Sequence, residues 1–310
     1  MHINSKRRHF APITHLPWLS RMQVRDPDRK PVRLKRLCVK FLRLAWTLLY
    51  RHIGLKATGR IAFITRDGKM IDVEIDARRS LYIDYASRDF HAGYEPNESL
   101  LIDALIPKAR VFYDIGANWG YFSWLAATNP GFTGRIYSFE ISPDMVTELT
   151  ATRDRAGFSA VEIMPFGLSD QNGTVPISNE RNGHLNQVVK TTTQYSVQAP
   201  VRRLDDVDIP PPDLIKLDVE DHEHAVLLGA GKTLGAAGPA ILFECRDSLA
   251  PDSHAVFSLL SEMGYIFHEV DTRTDGIQLN VIDPTRAGFS MRGANIFACT
   301  RERLDTWLTS

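Results

Sequence analysis

The chain has 310 residues, enough for one α/β domain of about 200 to 250 residues and an additional segment. Its three cysteines, Cys38, Cys245 and Cys299, are odd in number and far apart, which excludes a disulfide framework or a zinc site of the usual spacing. The net charge is zero, but residues 1–60 carry 15 Lys and Arg against two Asp, so the remainder carries a net charge of −13. This asymmetry indicates an anionic partner for the basic arm: a membrane surface, nucleic acid or the acidic body itself.

The basic arm has two parts. Residues 1–32 are rich in Arg, Pro and His without a hydrophobic period, and we expect no regular structure there. Residues 33–52 repeat apolar side chains at helical spacing, with Lys and Arg mostly on the other side. This pattern predicts a basic amphipathic helix, which can lie at an anionic membrane surface or pack on the domain or a second subunit.

The N-terminal region contains neither a secretory signal pattern nor an apolar run of the roughly 20 residues that a membrane span requires. We therefore expect a cytoplasmic protein with peripheral membrane contact through residues 33–52.

Next, two β-prone runs at 61–65 and 70–75 flank an Asp-Gly turn and predict a small hairpin. A short helix is predicted at 99–106.

From residue 111 onwards, apolar strands alternate with helices. Strands are predicted at 111–115, 135–139, 161–166, 214–219, 240–244, 265–270 and 295–299, and helices at about 121–128, 143–157, 223–234 and 254–263. This alternation predicts an α/β fold with a doubly wound, largely parallel sheet and a ligand at the carboxyl ends of the strands. The polar stretches 171–200 and 271–293 are predicted to be long loops. Residues 177–200 and 271–293 are expected to shape the choice of acceptor, and the alternative is that these loops are surface additions without a role.

The first predicted strand runs into a distinctive turn, Asp114-Ile-Gly116-Ala117-Asn118-Trp-Gly120. Glycines at such a turn allow a ligand to approach the backbone, and the following helix begins with unbonded N–H groups. A carboxylate at the strand end suits a cationic group, such as the amino group of a methionine moiety. Glu140 ends the next strand, 20 residues beyond Gly120, where an acid can bind both hydroxyls of a ribose. The two motifs together predict a site for an adenosine-containing cofactor.

A second group of charged residues surrounds the end of the fourth predicted strand. Lys216, Asp218 and Glu220 alternate along it and should point the same way while the strand stays regular. With His222 and with Glu244 at the end of the neighbouring strand, they are candidates to deprotonate a hydroxyl or to hold a divalent cation. The alternative is an internally neutralised network in which Lys216 pairs with an acid.

These motifs, in this order, resemble the FkbM family of class I methyltransferases. The residues that carry the resemblance, over roughly positions 60–300, are Tyr94-Glu95-Pro96, Asp114 to Gly120, Phe139-Glu140, Gly167-Leu-Ser-Asp170 with Gly173, Arg203-Leu-Asp-Asp206, Ile215-Lys-Leu-Asp-Val-Glu220, Glu223, Gly229 and Phe243-Glu244. The resemblance implies a Rossmann-like seven-stranded sheet, six strands parallel and the last antiparallel. It also implies S-adenosylmethionine (SAM) as methyl donor and O-methylation of a sugar, glycan or natural-product hydroxyl.

The resemblance also implies roles for individual residues. Asp114, Gly116, Ala117, Asn118, Gly120 and Glu140 would bind SAM, Glu95 would lie near its methionine end, and Phe166 and Gly167 would flank the adenine. Asp218 and Glu220 would face the transferred methyl group and, with His222, are the candidate catalytic residues. The chain departs from the family at Asp221, where a glycine is usual, and at Arg203, where a threonine is usual.

The sequence therefore predicts a basic arm at residues 1–60 and a SAM-dependent methyltransferase domain at residues 61–310, with a small-molecule or glycan acceptor. A nicotinamide-dependent oxidoreductase is disfavoured, because the turn lacks the Gly-x-Gly-x-x-Gly spacing of a pyrophosphate site. The same motifs are compatible with a non-catalytic module tethered through the arm and with a methyltransferase that acts on nucleic acid. For nucleic acid, the chain lacks the Asn-Pro-Pro-Tyr type of run that suits a flipped base.

Overall fold

A computed structural model describes residues 2–3, 10–13, 41, 44, 45, 48, 58–64, 70–76, 95–178, 196–248, 250–273, 276–286 and 288–309. Within these residues, nine strands form one sheet: β1 (His2–Ile3), β5 (Val111–Ile115), β6 (Arg135–Phe139), β7 (Val161–Met164), β11 (Leu214–Leu217), β12 (Ala240–Asp247), β13 (Tyr265–Arg273), β14 (Gly276–Ile282) and β15 (Arg292–Thr300). Their order across the sheet is β1-β14-β13-β15-β12-β11-β5-β6-β7.

The predicted α/β class is confirmed, and the predicted strand count of seven is corrected by the sheet seen in the described residues. Strands β5, β6, β7, β11 and β12 pair in parallel. β15 lies antiparallel between β12 and β13, so β13 runs in the same direction as the parallel strands. The predicted pattern of six strands in one direction and one opposed is present, but antiparallel β14 and β1 extend the sheet beyond it.

Helices cover the sheet. They are α1 (Pro96–Leu105), α2 (Tyr121–Ala127), α3 (Pro143–Ala156), α4 (Glu223–Gly229), α5 (Gly231–Ala237), α6 (Pro251–Glu262) and α7 (Arg301–Thr309). Proline occupies the first position of α1, α3 and α6, where its missing N–H costs no helical hydrogen bond. The central strands are buried on both faces: β11 is buried at every residue, as its run Leu-Ile-Lys-Leu requires of three apolar side chains.

Two predicted elements are corrected. The helix predicted at 223–234 is broken at Ala230 into α4 and α5, between two glycines that weaken a continuous helix. The strand predicted at 214–219 ends at Leu217. The stretches predicted as loops also contain strands: β9 (Gly173–Ser178) and β10 (Ser196–Arg202) pair with β8 (Gly167–Leu168), and β14 lies within 271–293.

The hairpin predicted near residue 68 is confirmed by β3 (Thr58–Ile64) and β4 (Met70–Asp76), which pair antiparallel. β2 (Phe10–Ile13) adds to β3, so β1 and β2 lie in a stretch predicted to lack regular structure. The remainder of residues 1–32 lies outside the described residues, as does most of the predicted helix at 33–52. Among the residues that the structure describes, no helix is long and apolar enough to cross a membrane.

Candidate active site

The direction of the chain through the sheet determines where a ligand binds. From β5 the chain moves outward to β6 and β7, and it then returns to the other side of β5 to form β11 and β12. The carboxyl ends of β5 and β11 therefore border a crevice at the switch point of the sheet, which is the usual ligand site of doubly wound folds. The loop that begins at Asp114 leaves β5 at this crevice.

Close packing holds the loop against β11 and β6. Gly116 has φ 80° and lies directly over the backbone of Asp218, so a Cβ atom at this position would overlap the carbonyl oxygen of Asp218. The backbone N–H groups of Gly116 and Ala117 both donate to the carbonyl of Phe139, at 3.0 and 2.9 Å. Gly120, with φ 86°, caps α2 against the side chains of Trp124 and Leu149. The predicted requirement for glycine at both positions thus has a steric basis.

Asp114 binds the start of α2. Its Oδ2 accepts hydrogen bonds from the backbone N–H of Ser123 at 2.9 Å and from the Ser123 hydroxyl at 2.6 Å. The side chain is 3% exposed, and burial raises its pKa to about 6 although the Ser123 hydrogen bonds and Lys216 oppose this. Asp114 therefore holds a carboxylate at the base of the crevice and fixes the loop to the helix.

Glu140 connects the loop to the end of β6. Its two carboxylate oxygens accept hydrogen bonds from the backbone N–H groups of Asn118, at 2.7 Å, and Ser142, at 2.8 Å. Burial raises its pKa to about 6, against these hydrogen bonds. Each carboxylate oxygen has a second lone pair, so this arrangement leaves acceptor capacity for the two hydroxyls of a ribose.

Asn118 lies between these acids with its backbone in the left-handed region, at φ 53°. Its side-chain Oδ1 is buried and accepts no hydrogen bond from the part of the chain that the structure describes. A buried acceptor without a donor is costly unless a ligand supplies one. The described residues therefore provide no hydrogen-bond donor for Asn118 Oδ1.

Phe166 and Gly167 lie on the far side of the Glu140 turn, where an adenine was predicted. Phe166 is buried, and its ring packs edge-on against Phe139 at a centroid distance of 5.8 Å. The Arg202 guanidinium lies 4.6 Å from the centroid of the Phe166 ring. Gly167 contacts Ile141, which directly follows Glu140. These contacts bring the predicted adenine residues to the same turn as the predicted ribose residue.

A buried ion pair occupies the end of β11. Lys216 is 2% exposed and its Nζ contacts Asp218 Oδ2 at 2.7 Å. Although burial lowers the pKa of Lys216, the carboxylates of Asp218 and Glu95 raise it above its ordinary value. The Nζ atom also lies 5.0 Å from the centroid of the Phe122 ring. Lys216 is thus a permanent cation, and the neutralised network that the sequence left open is present at Asp218.

Glu95 belongs to the same group of charges. It lies at the N-terminus of α1 with φ 40°, and its charge acts on both Lys216 and Glu244. The structure therefore places Glu95 beside the ends of β11 and β12. This is the neighbourhood of the predicted methyl-transfer residues, on the same side of the sheet as Asp114, which pairs with Lys216 in the β5–β11 register.

The strand alternation that was predicted for the side chains of Lys216, Asp218 and Glu220 ends before Glu220. Glu220 and Asp221 have φ values of 55° and 69°, so the chain turns sharply after Asp218. The physical reason is the short length of β11: its ladder pairing ends at Leu217, and side chains beyond it no longer alternate. Asp221 therefore adopts the left-handed backbone conformation that favours glycine, the residue usual at this position in the family.

His222 turns away from this acid group. Its Nε2 lies 3.0 Å from the hydroxyl of Ser169, which also donates to Asp170 at 3.1 Å. Burial lowers the pKa of His222, while Asp170 and Asp252 act in the opposite direction. The described contacts of the ring thus lie toward the β8 turn, where α4 packs so closely that a Cβ at Gly229 would overlap the Ser169 carbonyl. They bring His222 to Ser169 and Asp170, not to Asp218.

One residue at the site, Asn295, was not identified from the sequence. Glu244 and Asn295 face each other across the β12–β15 ladder, and Asn295 Nδ2 donates to Glu98 Oε1 at 2.7 Å. Sequence reasoning placed Glu244 in the acid cluster but missed Asn295, which lies 51 positions further on in a strand read only for its apolar residues.

Among the described residues, no group of three or more His, Cys, Asp or Glu is arranged to hold a metal ion.

The fold and the loop define the class of the protein: a Rossmann-like α/β protein with a cofactor loop after its first core strand and an acid after the second. Residues 114–267 match the family model described as the methyltransferase FkbM domain. This match and the curated relative described next both support an FkbM-family methyltransferase.

Relatives and solved structures with similarity to the chain include other methyltransferases. The hexuronic acid methyltransferase AglP of Haloferax volcanii is 28% identical over 172 residues, which are 53% of this chain and 68% of that protein. The methyltransferase FkbM structure from Methylobacillus flagellatus is 15% identical with a TM-score of 0.40, and the match covers 61% of this chain and 43% of that one. An O-methyltransferase from Bacillus cereus, solved in complex with SAH, is 13% identical with a TM-score of 0.40, covering 68% and 84%.

Proposed function

We propose that this protein is a SAM-dependent methyltransferase that methylates a hydroxyl group of a sugar or glycan. The observation that carries the proposal is the loop from Asp114 to Gly120, which presents a buried acceptor, Asn118 Oδ1, between two buried carboxylates at the switch point of the sheet. The family match supports a methyltransferase, and the loop supports the identity of the methyl donor.

The residues of the crevice fit SAM in charge and in hydrogen bonding. SAM carries a sulfonium and an ammonium, and Asp114, Glu140 and Glu95 provide carboxylates on this side of the sheet. An ammonium or an adenine amino group supplies the donor that Asn118 Oδ1 requires. The remaining lone pairs of the Glu140 carboxylate can accept hydrogen bonds from the ribose hydroxyls, and the apolar ring of Phe166 can pack against the adenine. Asp114, Asn118, Glu140, Phe166 and Gly167 would therefore hold the cofactor.

When bound, SAM supplies an electrophilic methyl group that a hydroxyl oxygen can attack. The protein contributes alignment and exclusion of water, which together lower the barrier of such a displacement. The buried Lys216–Asp218 pair forms the floor of the crevice beside the loop, because the Asp218 backbone lies directly against Gly116. A fixed floor positions an acceptor relative to the cofactor with little loss of side-chain entropy.

Two observations support a sugar hydroxyl as the acceptor. The relative from Haloferax volcanii is named a hexuronic acid methyltransferase. The crevice next to the loop also contains several acidic side chains, Glu95, Asp218, Glu223 and Glu244, whose charges act on one another. Carboxylates accept hydrogen bonds, and a sugar ring offers several adjacent hydroxyl donors. A nucleic-acid phosphate would meet like charge in this crevice, as would the carboxylate of a uronic acid, so these acids favour the hydroxyl groups of a sugar as the part that enters it.

The experiment that tests this function is methyl transfer from methyl-labelled SAM to p-nitrophenyl β-D-glucuronide and to the uncharged p-nitrophenyl β-D-glucoside. Base-stable label on either glycoside is the expected result, because an ether resists hydrolysis whereas a methyl ester does not. Label transferred only to an RNA or protein control would replace the sugar acceptor by another class. Label on the glucuronide that is released by mild base would contradict O-methylation of a hydroxyl.

We also propose that residues 33–52 bind an anionic membrane surface. Phe41, Leu44 and Leu48, spaced like one face of a helix, are helical and 65%, 68% and 54% exposed. Residues 1–60 carry a net charge of +13, which complements anionic lipid headgroups. An exposed apolar face beside basic residues is the arrangement of interfacial helices.

Replacement of Phe41, Leu44 and Leu48 by serine is expected to reduce binding to vesicles of phosphatidylcholine and phosphatidylglycerol by about tenfold or more, because buried apolar area is lost. Sedimentation with vesicles measures the bound fraction. Val281→Ser is the matched control, because Val281 is an apolar residue of β14 with 71% exposure. Wild-type protein that sediments equally with pure phosphatidylcholine vesicles, or a triple variant that binds like Val281→Ser, would contradict the membrane proposal.

A further inference from the structure

Of the two acids that the sequence favoured as a base, Glu220 lies in the turn beyond β11 at φ 55°, and Asp218 is already bound. Asp218 Oδ2 contacts the buried ammonium of Lys216 at 2.7 Å. A proton that arrived at this oxygen would break the ion pair and leave a buried cation with one fewer counter-charge, which is costly in a low-dielectric interior. Asp218 therefore fits the role of a fixed counter-ion better than that of a proton acceptor.

Two other titratable groups near the turn are held by structural contacts. Glu223 Oε1 accepts a hydrogen bond from the backbone N–H of Val219 at 3.1 Å, so its carboxylate stabilises the turn after β11. His222 contacts Ser169 on the side of the β8 turn. Burial raises the pKa of Glu223 to about 7, so its hydrogen bond within the turn, and not its pKa, distinguishes it from the remaining acid of the cluster.

Glu244 lies within β12, one residue beyond the last residue of β12 that pairs with β11. Lys216 pairs with Leu242, so Glu244, two residues further along β12, lies on the same side of the sheet as Lys216, whose Nζ contacts Asp218. It is half-buried, and burial, with the charge of Asp218, raises its pKa to about 7 while Lys216 acts in the opposite direction. A carboxyl group with this pKa can exchange a proton near neutral pH.

Asn295 supplies a second acceptor at the same position. It pairs with Glu244 in the β12–β15 ladder, so the two side chains project from the same side of adjacent strands. Asn295 Nδ2 donates to Glu98 Oε1 at 2.7 Å, which orients the amide. Its Oδ1 is buried and accepts no hydrogen bond from the described residues. Glu244 and Asn295 thus place a carboxylate and an oriented carbonyl oxygen side by side.

We propose that Glu244 accepts the proton of the methylated hydroxyl and that Asn295 Oδ1 binds a neighbouring hydroxyl of the same sugar. This assignment rests on the proposed function. As the acceptor oxygen forms its bond to the methyl carbon, its O–H bond breaks and the proton passes to a carboxylate oxygen of Glu244. The carbon–sulfur bond breaks with its electron pair left on sulfur, so the donor leaves as a neutral thioether and the charges balance.

The test compares Glu244→Gln and Asn295→Leu with the wild type in two measurements. The first is methyl transfer to the two p-nitrophenyl glycosides as a function of pH. In Glu244→Gln we expect kcat to fall about 100-fold or more, with SAM binding unchanged and with the fall in activity below pH 7 removed. Asn295→Leu is expected to raise KM more than it lowers kcat, because it removes a binding contact.

The second measurement needs no turnover. In protein labelled with carboxyl-¹³C glutamate, the resonance that disappears in Glu244→Gln belongs to Glu244. We expect it to titrate near pH 7 and to shift when a glycoside is added with SAH. A Glu244 resonance that titrates below pH 5, or Glu244→Gln kcat within threefold of wild type, would overturn the assignment. Absence of methyl transfer in the wild-type protein would instead count against the proposed function, while the titration would still test Glu244.

Discussion

Gly116→Ala is expected to lower the free energy of unfolding by about 3 kcal/mol or more and to abolish SAM binding. The added methyl group would overlap the carbonyl oxygen of Asp218, which is backbone and cannot rotate away. To relieve the overlap, the loop must separate from the turn that carries the Lys216–Asp218 pair. Gly116 also has φ 80°, a conformation that is unfavourable for alanine. Chemical denaturation and calorimetric titration with SAM measure the two effects.

Gly157→Ala is the matched control for this substitution. Gly157 ends α3 with φ 70°, and a Cβ atom there would meet no atom within 4 Å. The control therefore carries the same backbone strain without the overlap, and it should cost only about 1–2 kcal/mol and leave SAM binding intact. Equal losses in the two variants would show that conformational strain alone, not the contact between the loop and Asp218, accounts for the requirement at Gly116.

Lys216→Met is expected to destabilise the protein by about 3–5 kcal/mol at pH 8, because it removes the cation from a buried ion pair. Methionine has a similar length and retains the apolar contact with Phe122. Asp218 would then remain at 30% exposure with no ammonium beside it, and Asp114 and Glu244 would lose the same neighbouring charge. Denaturant unfolding across a range of pH measures the deficit relative to the wild type.

The pH dependence of this deficit has a definite sign. The pKa values of Asp114 and Glu244 are already raised to about 6 and about 7, and loss of Lys216 raises both further. Groups whose pKa is higher in the folded state stabilise it below their unfolded pKa, and this contribution is lost as pH rises through the folded value. The deficit should therefore shrink as the pH falls from 8 to 5. A constant deficit, or one matched by the exposed Lys232→Met control, would contradict the account.

The parts of the fold that the sequence predicts well are those where local pattern and burial agree. The apolar run at 111–115 lies in the middle of the sheet, and both its strand bounds and the following turn are as expected. The helix predicted from 223 is interrupted at Ala230, where the flanking Gly229 and Gly231 weaken it and Gly229 also packs against the backbone of the distant Ser169. Nothing near residue 230 in the sequence shows that contact.

The site residues likewise divide into those that the local sequence predicts and those that depend on pairing between distant parts of the chain. Asp114, Gly116 and Asn118 follow from a loop whose residues are close in the chain, and Glu140 follows from its place after the next strand. Glu140 and Asn118 do meet in space. Lys216 and Asp218 also pair, as the neutralised network predicted. The pair of Glu244 and Asn295 depends on β15 inserting between β12 and β13, a register that links residues 51 positions apart. The orientation of Glu220 likewise depends on β11 ending early, which local alternation does not indicate.

The measurement that tests the central claim most directly is calorimetric titration of the protein with SAM, in the wild type and in Asn118→Gly. Glycine tolerates the φ of 53° at this position, so the variant removes the side-chain acceptor without straining the loop. The account predicts saturable one-site binding by the wild type and a loss of affinity of about tenfold or more in the variant, which retains its fold by circular dichroism. Absence of SAM binding by folded wild-type protein, or equal affinity in the variant, would contradict the cofactor site described above.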